Sequence, residues 1–394
     1  MQRDLTVERA LDAAEPDRLV DVLRSKLREL YEARSVQLWL ADYAIHSLQP
    51  SHHDASQAGP IVVEGTDQGQ TFTSQEPLVA DAEGEAKVLH LPVSLRGDRV
   101  GVLSVAIPAS TYTPALLDEL RRISTVLARE IILAGRETDR YEVERRAERL
   151  TLAAEMQWLL LPGRSCRRPE FSLGAHLEPA YAIYGDGFDW SVSDGRLNLV
   201  VVNGMGQGVD AALLTALTVG ALRNARRAGL PLADQAVLAD EAVFAQHRGK
   251  LHVEALLVQL ELATGHVEVV DAGSPRLWRV RGEELERQHL DAQTPLGMFG
   301  DTDYRMEAMR IEVGDRLVIV GDGVYTAVSP SGEKFEDRAL ARTINATRLL
   351  PPAQVPAAVL RQLVAHHGEA QLADDAVVAC VDWHGPRPQD PAIP

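Results

Sequence analysis

Apolar and polar positions along the first part of the chain follow patterns that predict one helix and several strands. Apolar residues recur every three or four positions over 16–32, which predicts an amphipathic helix with Pro16 in its first turn. Alternating or continuous apolar runs then predict strands at 36–40, 60–63, 87–93 and 100–106. This order of elements predicts one α+β domain over residues 1–135.

A second helical pattern follows, and its apolar positions step by four and three residues as in a coiled-coil seam. The seam is formed by Leu116, Leu120, Ile123 and Leu127. The pattern continues past a polar patch at 136–140 as far as Pro162, so the sequence predicts one long helix, with residues 136–165 as a connector. We expect this helix to pair two chains into a parallel homodimer. The alternative is that it packs on its own domain.

The block from 166 to 385 consists mostly of predicted strands. Apolar runs predict strands at 196–202, 255–262, 267–272, 316–320 and 376–381, and a largely buried helix at 210–225. The Pro-rich tail at 386–394 is expected to be disordered.

The excess of acidic over basic residues makes some classes of binding partner unfavourable. The 394 residues include 40 Lys and Arg against 57 Asp and Glu, a formal net charge of −17. This charge disfavours nucleic acid and anionic membrane surfaces as partners. No apolar run approaches the roughly 20 residues that span a bilayer, and the first residues lack the pattern of a secretory signal. With only Cys166 and Cys380 there is no disulfide scaffold, so we expect a cytoplasmic protein.

Acidic residues stand beside glycines where predicted strands begin or end. The positions concerned are Asp186, Asp322 and Asp374 with its neighbour Asp375. Carboxylates on stiff strand ends are ligands that a hard divalent cation prefers. Each motif alone is an ordinary turn, and only their recurrence indicates a metal site.

Two other motifs give little support for a binding site. The loop Gly204-Met205-Gly206-Gln207-Gly208 lacks the third glycine of a dinucleotide fingerprint, because Val209 stands there. His52-His53-Asp54 is interpreted as a polar loop rather than a metal site.

Six motifs of the second block match one family in order and spacing. They are Tyr184-Gly185-Asp186-Gly187-Phe188-Asp189, the segment 203–214, Ala272-Gly273-Ser274-Pro275, Pro295-Leu296-Gly297, Gly321-Asp322-Gly323 and Asp374-Asp375-Ala376-Val377. Over roughly residues 150–385 the chain resembles the bacterial PP2C-type (PPM) phosphatases of the SpoIIE/RsbU kind. This resemblance implies an α-β-β-α sandwich for residues 166–385. More weakly, residues 65–79 and 91–103 resemble a GAF domain, which is a sensory or dimerisation module.

The resemblance also implies an activity, a cofactor and a partner. Members of the family hydrolyse phosphoserine or phosphothreonine on regulatory proteins, typically STAS-domain anti-sigma factor antagonists, using two Mn²⁺ or Mg²⁺ ions. Carried over, Asp186, Asp322 and Asp374 are the metal carboxylates and Gly204 contributes its backbone carbonyl. Asp375 is the alternative to Asp374.

Three positions depart from the family pattern. Asn203 stands where the family has a bridging carboxylate, Gln207 replaces a His or Lys, and Ser274 replaces a His. An amide offers one neutral oxygen, so the site loses a negative charge and one metal position should weaken. Two hypotheses follow: a phosphatase of full or reduced activity that is gated by the GAF-like domain, or a pseudophosphatase that binds a partner without hydrolysis.

Overall fold

The chain divides into two compact units, residues 1–149 and 150–394. The computed structural model describes residues 2–51, 59–82, 84–179, 184–368 and 372–387. The predicted loop at His52-His53-Asp54 and the predicted tail from residue 388 onward lie outside these ranges. Among the helices that are described, none is both long and apolar enough to cross a membrane.

Where the structure describes it, the N-terminal unit combines five α-helices with one sheet. The helices are α1 (Gln2–Asp12), α2 (Leu19–Tyr31), α3 (Asp67–Ser74), α4 (Pro114–Ala134) and α5 (Arg140–Glu144). The strands are β1 (Ser35–Ala41), β2 (Ser47–Pro50), β3 (Ile61–Val62), β4 (Leu78–Ala82), β5 (Ala86–Leu95) and β6 (Asp98–Pro108). They form an antiparallel sheet in the order β3-β2-β1-β6-β5-β4. The predicted helix and four predicted strands of this unit are confirmed.

The core of this unit lies between one face of the sheet and helices α1, α2 and α4. It takes in all four residues that were predicted to form an intermolecular seam: Leu116, Leu120, Ile123 and Leu127. Leu120, Ile123 and Leu127 are fully buried in the single chain. The prediction that these residues pair two chains is therefore wrong, because their apolar surface is already covered within their own unit.

The predicted long helix is also wrong as a single element. Helix α4 ends at Ala134, with Gly135 as its C-cap, and α5 spans only five residues. A third helix, α6 (Leu152–Leu160), begins in the other unit, where the Thr151 hydroxyl accepts a hydrogen bond from the Ala154 N–H. The polar residues after Gly135 break the helix, since they give it no apolar stripe to bury.

Over its described residues, the C-terminal unit carries two sheets and six α-helices. Its helices are α6, α7 (Gly208–Arg227), α8 (Leu232–His247), α9 (Asp322–Tyr325), α10 (Ala339–Ala346) and α11 (Val355–His367). Its strands are β7 (Ser165–Arg167), β8 (Phe171–Glu178), β9 (Gly187–Ser193), β10 (Arg196–Gly204), β11 (Val253–Glu261), β12 (His266–Ala272), β13 (Arg276–Arg281), β14 (Glu284–Arg287), β15 (Glu307–Arg310), β16 (Arg316–Val320) and β17 (Ala376–Trp383).

The two sheets pack face to face and helices cover their outer faces. One sheet has the order β15-β12-β11-β10-β9 and the other β14-β13-β16-β17-β8-β7, with antiparallel neighbours throughout. A central apolar cluster joins the facing sides of the sheets. Two further clusters join the outer faces to α7 and α8 and to α10 and α11. This agrees with the α-β-β-α sandwich that the resemblance implied.

The antiparallel order brings the ends of four strands to one edge of the sandwich. β9 begins where β10 ends, since Gly187 pairs with Val202. On the other sheet β17 begins where β16 ends, since Val378 pairs with Val320. The loops that carry the predicted acidic residues therefore meet at this edge.

Candidate metal centre

The loop before β9 presents Asp186 at the edge of the sandwich. Gly185 has a φ of +91°, and a side chain there would lie 2.9 Å from the Gly204 carbonyl oxygen. The Gly204 N–H donates to the Gly185 carbonyl over 3.2 Å, and the Thr215 hydroxyl donates to the same oxygen. Glycine at 185 thus lets the loop pack against the end of β10 and fixes the position of Asp186.

Asp186 is a buried carboxylate without a donor. Its exposed fraction is 1%, and neither carboxylate oxygen accepts a hydrogen bond from the described residues. Burial raises the pKa of Asp186 well above its ordinary value, and the neighbouring carboxylates of Asp375, Asp322, Asp374 and Glu254 raise it further. A carboxylate in this environment is stabilised by a cation, which would supply the missing charge and the missing partner.

Asp322 and Asp374 come from the other sheet. Asp322 opens α9 directly after β16, and Asp374 precedes β17. Burial and then the negative charge of Glu254 raise the pKa of Asp322. Burial and then Asp322 raise the pKa of Asp374 to about 6. A side chain at Gly321 would lie 3.1 Å from Oδ2 of Asp186, so the two sheets bring these acids to one place.

Asp375 serves a different purpose from Asp374. It is fully buried, and its Oδ2 accepts hydrogen bonds from the Tyr184 N–H and from Gln157 Nε2, both over 2.9 Å. Gln157, on α6, also donates to the Asp186 carbonyl over 2.8 Å. These bonds favour Asp374 over Asp375 as the side chain free to hold a cation, since Asp375 anchors the loop before β9.

Asn203 lies at the end of β10 beside Ser274 and Asp322. Its Nδ2 is 3.4 Å from the Ser274 hydroxyl oxygen, and a hydrogen bond from Asn203 acts to lower the pKa of Asp322. The Tyr325 hydroxyl donates to the Ser274 carbonyl over 3.0 Å. Two of the three departures from the family pattern are thus in contact with each other, while Gln207 is exposed at the start of α7.

The sequence analysis did not single out Glu254. This residue lies on β11 directly opposite Asn203 on β10. Its charge acts on Asp186, Asp322 and Asp271. A side chain at Gly273 would lie 2.5 Å from the Glu254 Cβ, so the glycine leaves room for Glu254. A signal was present in the sequence, since Glu254 is an acidic residue within the apolar run that begins β11.

The donor set fits a divalent cation in its chemistry. The carboxylates of Asp322 and Asp374 lie near the Asp186 carboxylate, which accepts no hydrogen bond. The Gly204 carbonyl oxygen lies beside Gly185 in the same region. All of these oxygens are hard ligands of the kind that a divalent cation prefers. In the described ranges, however, no three His, Cys, Asp or Glu side chains already stand together as a ligand cluster.

A pocket of about 190 Å³ adjoins this centre. Ser274 and Tyr325 line it together with Arg276 and Arg287. The Arg276 guanidinium stacks 3.6 Å from the centre of the Tyr325 ring and forms an ion pair with Glu336. Two guanidinium groups therefore line this pocket, together with the carboxyl group of Asp271.

Comparison with known proteins relates most of the second unit to one family model. The family model for Stage II sporulation protein E (SpoIIE) matches residues 193–384, a range that begins after Asp186. Protein IcfG of Synechocystis sp. is 21% identical over 239 residues, which are 53% of this chain and 38% of IcfG. The chain therefore corresponds to less than half the length of that relative.

The chain is also similar in fold to solved structures. The RsbU and RsbW domains of a Mycobacterium tuberculosis protein match with a TM-score of 0.50 and 21% identity, over 56% of this chain and 62% of theirs. The PP2C phosphatase domain of Bacillus subtilis SpoIIE with a fragment of its regulatory domain matches with a TM-score of 0.50 and 15% identity, over 80% of this chain and 83% of that one. Residues 193–384 thus match the SpoIIE family model, and the chain is similar in fold to solved RsbU and SpoIIE phosphatase domains.

Proposed function

We propose that the C-terminal unit is a protein phosphoserine/phosphothreonine phosphatase that depends on Mn²⁺ or Mg²⁺. The observation that carries this proposal is Asp186, a fully buried carboxylate without a hydrogen-bond donor that faces Asp322 and Asp374. Such an arrangement is unstable on its own, since like charges repel in a medium of low dielectric constant. A divalent cation relieves that repulsion, and PP2C phosphatases are metal-dependent.

Each residue has a role in this proposal. Bound divalent ions supply Lewis-acid chemistry at the phosphoryl group. Asp186, Asp322 and Asp374 would hold the ions, with the Gly204 carbonyl as a neutral ligand. Gln157 and Asp375 fix the loop that carries Asp186. Arg276 and Arg287 would bind anionic oxygens of the phosphorylated segment in the adjoining pocket.

The proposed substrate is a phosphorylated regulatory protein, such as a STAS-domain anti-sigma factor antagonist. Support comes from the Mycobacterium tuberculosis protein, in which RsbU and RsbW domains occur together. The N-terminal unit, with its six-stranded antiparallel sheet and helices, is proposed to regulate this activity as a GAF-like sensory module.

A second candidate function is a pseudophosphatase, and Asn203 favours it. Its amide carries no negative charge that would help to hold a cation, and its Nδ2 donates a hydrogen bond to the Ser274 hydroxyl. In that case the domain would bind a phosphorylated partner without releasing phosphate.

Calorimetric titration of the full chain with Mn²⁺ tests whether the site binds metal. We expect Mn²⁺ binding by the wild type and its loss in Asp186→Asn. Equal Mn²⁺ binding by both proteins would show that Asp186 does not hold the cation and would contradict the proposal. A wild type that binds Mn²⁺ and a phosphopeptide but releases no phosphate would select the pseudophosphatase.

A further inference from the structure

Glu254 and Asn203 form a directly opposed pair on neighbouring antiparallel strands. Asn203 of β10 is in register with Glu254 of β11. Side chains of such a pair project from the same face of the sheet, with Cβ atoms about 5 Å apart. Glu254 therefore projects from the same face of the sheet as Asn203. Asn203 is the position at which the resemblance implies a bridging carboxylate.

The surroundings of Glu254 direct it toward the acidic centre. Glu254 is the largest source of negative charge acting on Asp322, and it also acts on Asp186. Gly273, at a φ of +139°, leaves open the space that the Glu254 side chain fills. Among the described residues, the Glu254 carboxylate takes part in no hydrogen bond or salt bridge. Its charge is therefore not used in holding the fold together.

We propose that Glu254 is a metal-site carboxylate that supplies the negative charge missing at Asn203. This inference rests on the proposed metal-dependent function and deepens it. A second, independent feature supports a cation there: Asp186 is buried, unpartnered and next to the same group of acids.

The proposal explains how the site keeps its charge although one carboxylate is absent. Asp186, Asp322 and Asp374 give three negative charges, and Glu254 restores the fourth that an aspartate at 203 would give. Glutamate is one methylene longer than aspartate, so it reaches further across the gap between β11 and the loop of Asp322. Binding affinity for a divalent cation depends strongly on the number of charged ligands.

The test is a cycle of Mn²⁺ titrations on the full chain, with heat of binding as the readout. The variants are Glu254→Gln, Asn203→Asp and the double variant. The matched control is Glu261→Gln, at the far end of the same strand, where Glu261 bonds to Thr264. Thermal unfolding of each metal-free protein checks that it is folded, and glutamine keeps the size of glutamate.

We expect Glu254→Gln to weaken Mn²⁺ binding at least about tenfold, equivalent to about 1.4 kcal/mol. In the Asn203→Asp background the same substitution should cost clearly less, because the restored aspartate takes over the charge. Glu261→Gln should bind Mn²⁺ as the wild type does.

Three results would overturn the inference. The first is Glu254→Gln binding Mn²⁺ as tightly as Glu261→Gln. The second is an equal loss in both backgrounds, which would mean that Glu254 acts only as a distant charge. In both cases Mn²⁺ binding by Asn203→Asp would leave the proposed function standing. The third is no Mn²⁺ binding by the wild type; if Asn203→Asp also fails to bind, the proposed metal-dependent function falls as well.

Discussion

Gln157 Nε2 donates a hydrogen bond to Oδ2 of Asp375 over 2.9 Å, although 218 residues separate the two in the chain. The same amide donates to the Asp186 carbonyl over 2.8 Å. One side chain of α6 therefore ties together two loops from different sheets. Both loops carry acids of the proposed metal centre, so the position of α6 and the shape of the centre are linked.

Loss of this link should weaken the fold and the centre together. Gln157→Ala should lower the free energy of unfolding by about 1–3 kcal/mol, since it removes two buried hydrogen bonds, one of them to the charged group of Asp375. Leu159→Ala, at an exposed position of the same helix, is the control and should change little. Urea unfolding followed by circular dichroism measures both. Equal stability of the Gln157 and Leu159 variants would show that these bonds contribute nothing.

A restored carboxylate at position 203 should strengthen the metal centre. Asn203→Asp should raise Mn²⁺ affinity at least about tenfold, or about 1.4 kcal/mol, because it would add an anionic oxygen ligand to the proposed centre. Phosphate release should rise with it, since about 1.36 kcal/mol of transition-state stabilisation is tenfold in rate. Titration calorimetry and phosphate assays across Mn²⁺ concentrations measure the two effects. Unchanged affinity and rate would mean that Asn203 is harmless.

The cationic pocket should matter for substrate and not for metal. Arg287→Gln should lower kcat/KM for a phosphoserine peptide about tenfold, or about 1.4 kcal/mol, as expected for a lost hydrogen bond to a charged group. Mn²⁺ affinity should stay the same. Arg310→Gln, which removes the same charge from an exposed position on β15, is the control. Equal kcat/KM for the two variants would exclude the pocket from substrate binding.

Asp271, beside the pocket, predicts a pH-dependent stability. Burial raises its pKa to about 6, with further increases from Glu307 and Glu254. Because the folded pKa exceeds the unfolded value of about 4, its contribution to stability is present below about pH 4 and is lost as the pH rises through 6. Asp271→Asn should therefore raise Tm at pH 7.5 by at least about 2 °C and leave it unchanged at pH 4. Thermal unfolding with EDTA measures this, and an increase of the same size at both pH values would contradict it.

Local patterns of the sequence predicted much of the sandwich. The strands at 196–202, 255–262, 267–272, 316–320 and 376–381 were predicted because continuous apolar runs mark buried strands. β8 and α11 were not predicted, since β8 mixes in polar residues and α11 begins after several prolines. The loops that carry Asp186, Asp322 and Asp374 meet because strands from distant parts of the chain pair with each other. No local sequence pattern predicts that pairing.

The helix at Leu116, Leu120, Ile123 and Leu127 shows the limit of periodicity. A four-three spacing says that one face is apolar, but it does not say what covers that face. Here α1, α2 and the sheet of the same unit cover it, so these residues do not form the predicted seam between two chains. Glu254 could not be predicted as a site residue for a related reason. Its position opposite Asn203 depends on the register between β10 and β11, which the local sequence pattern does not give.

The measurement that tests the account most directly is phosphate release from a phosphoserine peptide by the full wild-type chain across Mn²⁺ concentrations, beside Asp322→Asn. Asp322 is not tied into the core by the hydrogen bonds that hold Asp375, so this variant should fold while losing a metal carboxylate. The account predicts release that rises with Mn²⁺ in the wild type and falls at least about tenfold in the variant, equivalent to about 1.4 kcal/mol or more. Release that is independent of Mn²⁺, or identical in the two proteins, would contradict it.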